Sequence, residues 1–225
     1  LKGSPKFSGL MEDKKTTSRY WHPAYVKNGK LLPTKATDYS LDIEADFIME
    51  FMEKSVKNKT PFLAYWPTVA PHGTRTGMPT NPLRGEIGLL GQGKGRKKKD
   101  KIPGENEARF KSLIEYMDLK IGQVVTKIEQ LGITDNTVII FLSDNGTAVT
   151  AKTRGVERGS HVAHIVAGAG IKKRGSTDEL SDFSDIAPTL IDFANAWQYV
   201  PSGHNFNGKS LVPFYTGKTD SHREW

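Results

Sequence analysis

Apolar positions recur at helical spacing in two long stretches. Over residues 38–57, Leu41, Ala45, Ile48 and Met52 fall on one face with Phe47 and Phe51 beside it, predicting a helix in a region that Pro61 ends. Over 105–131, Phe110, Leu113, Ile114, Met117, Ile121, Val124, Ile128 and Leu131 predict a longer one. Glu105 and Glu107 suit its positive end and Gly132 its stop. Phe62 to Trp66 reads as a short buried strand, Val138 to Leu142 as a second, and 162–167 as a third. The run 138–142 has no polar alternation, which argues for burial in a parallel sheet rather than for a hairpin. Residues 182–194 read as a helix with Ser184 or Asp185 as cap and Pro188 early. Residues 1–36, with Pro5, Pro23 and Pro33 and the aromatic cluster Tyr20, Trp21 and Tyr25, read as irregular. Residues 67–104, rich in proline and glycine, read as a long loop, and loops of that length are usually functional or disordered. No internal repeat is visible.

Strand 62–66, the long helix and strand 138–142 make a βαβ unit, expected to be parallel and right-handed. The expected fold class is therefore α/β, a mostly parallel central sheet flanked by helices. In such sheets ligands sit past the carboxyl ends of the strands. Parallel strands would carry the loops after Trp66 and Leu142 to one edge, so that His72 and Asp144 could share a site.

The strand 138–142 delivers Ser143-Asp144-Asn145-Gly146. Two adjacent oxygen ligands, Asp144 and Asn145, suit a hard divalent cation. The competing reading is a plain Asn-Gly turn, but about twenty residues separate this point from the next apolar run. His72 sits in a Pro/Gly loop, where most histidines are merely solvated; at a sheet edge it becomes a credible substrate contact. Lys152 is a surface lysine by default, yet a cation beside a metal site could bind an anionic oxygen. Residues 203–210, Gly-His-Asn-Phe-Asn-Gly-Lys-Ser, match a phosphate-binding loop letter for letter. That mechanism needs a strand before and a helix after. The preceding Trp197-Gln-Tyr-Val-Pro-Ser is a poor strand and Pro213 follows soon, so a nucleotide site is not expected.

At 225 residues and 36% hydrophobic content the chain suits one large domain with a real core. It contains no cysteine, which excludes disulfides, thiolate metal sites and a cysteine nucleophile within it. No apolar run approaches bilayer length. The first residues lack the apolar stretch of a leader and an initiator Met, so the true N-terminus is expected elsewhere. Of the formal charge of +7, a net +5 lies in one run: Lys94, Arg96, Lys97, Lys98, Lys99 and Lys101 against Asp100. A solvated loop is the preferred reading and a polyanion contact, nucleic acid or sulfated glycan, the sharper one. No aromatic residue interleaves, which weakens single-stranded nucleic acid as a partner.

From about residue 37 onward the ordered set of segments resembles the sulfatases of the alkaline-phosphatase superfamily. Pro61-Phe-Leu-Ala-Tyr-Trp-Pro-Thr-Val-Ala-Pro-His72 resembles the family's strand and Ala-Pro-His loop. Tyr116-Met-Asp118 and the run from Gly132 to Gly146 are similar to its most recognisable block. Lys152 and Glu157-Arg-Gly-Ser-His-Val162 resemble its lysine and Glu-Gly-Gly-x-Arg-Val turn, with His161 in place of the arginine. Ser184-Asp-Ile-Ala-Pro-Thr-Leu190 and Asn207-Gly-Lys-Ser-Leu-Val-Pro213 resemble its helix start and late Gly-x-Ser-Leu segment, which accounts for the false phosphate loop. The resemblance implies that Asp144 and Asn145 ligate a divalent cation, usually Ca2+ with Mg2+ as the alternative, and that Asp144 helps activate the nucleophile. It implies that Lys152 and His72 hold the sulfate and neutralise or protonate the departing oxygen. It further implies a formylglycine nucleophile, made from Cys or Ser in a Cys/Ser-x-Pro-x-Arg motif, and an early Asp-Asp pair. Neither is in this sequence, and both are expected upstream. The chain therefore reads as residues 1–225 of a partial sulfatase catalytic domain, incomplete at both ends and inactive alone. Its expected partners are an anionic sulfate ester and the remainder of the polypeptide, with no nucleic acid and no membrane span. The resemblance implies a periplasmic, extracellular or lysosomal location. Two other readings stay open: a phosphodiesterase or phosphonate monoester hydrolase of the same superfamily, and a non-catalytic polyanion-binding module working through residues 94–101.

Overall fold

The computed structural model describes residues 20–35, 37–72, 105–146, 152 and 155–224. They divide into two units, within Leu1–Leu131 and within Gly132–Trp225. The basic run 94–101, and the expected long loop from residue 73 to 104, lie outside the described residues.

In the first unit, β1 (Tyr25–Lys27) and β2 (Lys30–Leu32) form an antiparallel hairpin. Asn28 and Gly29 join them with φ of 52° and 78°, the two positive values that a two-residue type I′ turn demands. This corrects the expectation of an irregular segment, since an Asn-Gly pair between short runs is itself a hairpin signal. The helix α1 (Ser40–Lys57) buries Leu41, Ala45, Ile48 and Met52, the expected face, while Phe47 and Phe51 look outward. The long helix α2 (Glu105–Gln130) buries Leu113, Met117 and Ile128 from the expected stripe. Tyr116 is buried as well, and Phe110 and Ile114 are exposed. An eight-residue apolar stripe is wider than one neighbouring helix can cover.

Polar contacts fix the register of α1 and α2. The Tyr116 hydroxyl donates to Asp42 Oδ1 at 2.5 Å, Lys120 Nζ lies 2.7 Å from the same oxygen, and Lys127 Nζ lies 3.1 Å from Glu53. Tyr39 sits at the centre of an aromatic group, stacked on Tyr20 and edge-on to Trp21 and Tyr116. Burial is the leading reason its hydroxyl resists ionisation.

Residues 61–66 do not form the buried strand expected of them. Exposure alternates along them with period two, as in a strand, but no ladder partner exists among the described residues. Phe62 meets Phe51 edge-on at 5.9 Å and Trp66 Nε1 donates to Glu44 Oε2 at 2.8 Å.

In the second unit, β3 (Val138–Leu142) has the expected bounds. It pairs with β4 (His164–Gly168) antiparallel, from Val138↔Gly168 to Leu142↔His164. Among the described residues every ladder is antiparallel, so the expected parallel sheet and its βαβ unit are not seen. All five β3 residues are half-buried rather than buried, so an unbroken apolar run did not require a parallel neighbour. A short helix α3 (Glu157–Ser160) lies between the strands in sequence. Beyond β4, a 3-10 turn (Phe183–Asp185) leads into α4 (Ile186–Phe193), and α5 (Val212–Tyr215) follows. Ile171, Leu211, Phe214 and Tyr215 form the core, with Val138, Val166 and Phe193 packed on it.

Asp185 is the N-cap position of α4, as expected, without a side-chain cap bond to it, and the 3-10 turn before it carries a cap of its own. Asp182 accepts from Ser184 N at 2.7 Å while Asp185 accepts from Asp182 N at 2.9 Å, a reciprocal capping box.

Candidate functional site

The ladder places Asp144 and Asn145. Beyond Leu142 the pairing continues for one more residue, with Ser143 N donating to Ala163 O at 3.0 Å. Gly146 N then donates to Gly159 O at 3.1 Å. A Cβ on Gly146 would fall on the Arg158 carbonyl, so only glycine lets the chain lie this close to α3. Asp144 and Asn145 are held between these two anchors. Asn145 Nδ2 donates to Asp144 Oδ1 at 2.6 Å, and Asp144 is exposed. Neither Asn145 nor Gly146 has positive φ, so this Asn-Gly pair is not the hairpin turn that Asn28-Gly29 makes.

The donor set is chemically right for a hard cation and numerically small. A carboxylate and an amide offer oxygens side by side, whereas calcium takes six to eight. Among the described residues no group of three or more His, Cys, Asp or Glu side chains could hold a metal ion.

Lys152 is exposed in a turn of the same unit and makes no ion pair with the described residues. His72 belongs to the first unit. Its N–H donates to Val69 O at 2.9 Å and its carbonyl accepts the Tyr20 hydroxyl at 2.6 Å. The buried Tyr20 therefore fixes the backbone that carries the imidazole, a role its place in an aromatic cluster did not reveal. Only a parallel ladder would carry His72 and Asp144 to one sheet edge, and no such ladder is among the described pairings. His161 lies 2.6 Å from Glu157 Oε1 through Nδ1, so it is engaged within its own turn.

The false phosphate loop is occupied by protein. A Cβ on Gly208 would fall on the Ser184 carbonyl. Lys209 N, the kind of amide a phosphate would use, donates to Asp185 Oδ1 at 2.7 Å. Lys209 Nζ donates to the His222 carbonyl at 3.2 Å. Asp185 is fully buried and also receives Arg223, through Nε at 3.1 Å and through its terminal nitrogen. His222 Nε2 lies 3.2 Å from Asp185 Oδ2. Burial opposes the charge on Asp185, but the hydrogen bonds from Arg223, Lys209 N, Asp182 N and His222 outweigh it and hold the carboxyl at about 2.

Residues 4–196 match the family model described as Sulfatase. The chain belongs to the sulfatase family. Over 111 residues, 47% of the chain, it is 30% identical to arylsulfatase K of Bos taurus and covers 20% of that protein. It is 25% identical to N-acetylglucosamine-6-sulfatase of Homo sapiens over 232 aligned residues, 90% of this chain and 41% of that one. The structure superposes on the putative sulfatase yidJ from Bacteroides fragilis with a TM-score of 0.70 at 18% identity, covering 93% of this chain and 48% of the other. That likeness shows the fold, an α/β arrangement of the alkaline-phosphatase type. The sulfatase chain thus spans less than half the length of each of these relatives. Among its described residues no helix is long and apolar enough to cross a membrane.

Proposed function

We propose that this chain is part of a sulfatase that hydrolyses the sulfate ester of a carbohydrate, with a divalent cation, Ca2+ before Mg2+, as cofactor. The observation that carries the reading is the Asp144-Asn145 pair, presented at the end of β3 by a backbone that Gly146 alone permits, within a chain that matches sulfatases over residues 4–196. The sugar class is favoured because the N-acetylglucosamine-6-sulfatase alignment takes in 90% of the chain.

A bound cation would supply charge stabilisation to the sulfate oxygens in the transition state. Asp144 and Asn145 would hold it through their side-chain oxygens. Lys152 places an ammonium on a sulfate oxygen. His72, its backbone fixed by Tyr20, would hydrogen-bond the oxygen that leaves. The nucleophile comes from outside this chain, which has no cysteine and no Ser-x-Pro-x-Arg motif.

The test is turnover of 6-sulfated N-acetylglucosamine and of an aryl sulfate by the intact polypeptide, with the Asp144→Ala variant and residues 1–225 alone as comparisons. The intact protein should release sulfate, prefer the sugar, and lose at least about a hundredfold in kcat/KM on Asp144→Ala. Residues 1–225 should release none. Sulfate release by the isolated chain, or full activity of the variant, overturns the reading.

A further inference from the structure

His164 carries an inference that stands apart from catalysis. It is half-buried at the first position of β4, opposite Leu142 in the ladder. Both ring nitrogens are engaged by hydroxyls from other segments. Nε2 lies 2.9 Å from the Tyr215 hydroxyl on α5, and Nδ1 lies 3.2 Å from Ser181 Oγ. Tyr215 belongs to the core of this unit and meets the imidazole edge-on at 6.2 Å. One ring therefore ties the start of β4 to α5 and to the segment that leads toward α4. The carbonyl just before it, on Ala163, accepts Ser143 N at 3.0 Å, the last rung before Asp144.

These two contacts suit a neutral ring. Burial is the first reason the Tyr215 hydroxyl keeps its proton. That hydroxyl donates to Nε2, so Nδ1 carries the ring proton and donates to Ser181. A second proton on the ring would fall on Nε2, where the hydroxyl already donates. Burial also disfavours the imidazolium and outweighs the pull of Asp185, which lowers the His164 pKa below its usual value of 6.5. The charged groups on the surrounding elements have partners of their own. Asp185 is bonded by Arg223 and His222, Asp182 accepts from Ser184 N, and Glu179 accepts from His222 N. Lys173 Nζ lies 3.2 Å from Asp220, and Asp144, past the end of β3, accepts from Asn145.

We propose that His164 is a pH-operated latch: while neutral it holds the start of β4 to Tyr215 and Ser181, and once protonated it gives up the Tyr215 bond and the Ser143–Ala163 rung beside Asp144 loosens. A histidine of this kind adds stability that is whole above the unfolded value of about 6.5 and is lost as pH falls through the folded value. That window lies above the one in which Asp185, held at about 2, titrates, so the two responses separate.

The experiment is an NMR titration of the intact polypeptide, isotopically labelled at histidine Cε1. The resonance missing from His164→Gln identifies the ring. Its midpoint should lie below about 6.5, and Tyr215→Phe, which removes the donor to Nε2, should raise it. Hydrogen exchange of the peptide that holds Ser143 is the second readout. Corrected for intrinsic rates, the protection of the Ser143 N–H should fall at least about threefold from neutral pH to the foot of the titration, and should stay level in His164→Gln. If His164→Gln does not fold, Tyr215→Phe serves both readouts: the resonance is the one it moves, and the exchange response should shrink. A midpoint at or above about 6.5, a midpoint indifferent to Tyr215→Phe, or Ser143 protection that ignores pH or responds equally in the variant overturns the proposal. Sulfate release is not read, so none of these outcomes touches the catalytic reading.

Discussion

Asp185 shows how much one buried carboxylate can organise. It accepts backbone N–H groups from Asp182 and Lys209 and is bonded by Arg223, joining the start of α4 to two later segments. Asp185→Ala should cost about 3 kcal/mol, read as a lower midpoint in urea, because it leaves a half-buried guanidinium and two amides without their acceptor. The pH dependence follows from its depressed pKa of about 2. A lowered carboxyl pKa stabilises the fold above the unfolded value, near 4, and that stability is lost as pH falls toward 2. The wild type should lose on the order of 2 kcal/mol across that window and an Asp185→Asn variant much less, read by urea midpoints at pH 5 and pH 2.5. The capping-box spacing of Asp182 and Asp185 was a visible signal in the sequence, but the partners Lys209 and Arg223 lie 24 and 38 residues further on. Tyr20 was equally hard to read, because its hydroxyl reaches His72 across 52 residues. Tyr20→Phe should cost about 1 kcal/mol and speed amide exchange at His72, with the aromatic packing unchanged.

At the level of elements, patterns with many repeats were legible and edges were not. The apolar face of α1 and the bounds of β3 match their expectations, because a helix face and a half-buried strand depend mainly on local spacing. The stripe on α2 was read too wide. Leu113 and Met117 are buried, while Phe110 and Ile114 on the same stripe are exposed. Leu113→Ala should therefore destabilise by about 2–5 kcal/mol and Ile114→Ala by under about 1 kcal/mol, a contrast that thermal melts of the two variants will show. The hairpin at Asn28-Gly29 is signalled only by its turn residues, since three-residue strands carry no periodicity.

For the molecule as a whole, the number of metal ligands sets the scale of affinity. On the proposed reading Asp144 and Asn145 would supply a small part of a calcium shell, and among the described residues no group of three or more His, Cys, Asp or Glu could hold a metal ion. Residues 1–225 alone should bind Ca2+ no more tightly than about 10⁻⁴–10⁻³ M by calorimetry, and Asp144→Ala should abolish that binding. Submicromolar binding would mean that the chain contains the rest of the shell.

Family membership, the helix faces and the β3 segment could all be read from residue order, because each rests on motifs or spacings a few positions long. The strand pairing could not. Whether an apolar run finds a parallel or an antiparallel neighbour, or none, as in residues 61–66, depends on which distant segments come to lie beside it. The same holds for the Asp185 network and for Tyr20 on His72, where contact and burial across tens of residues, rather than spacing, assign the role.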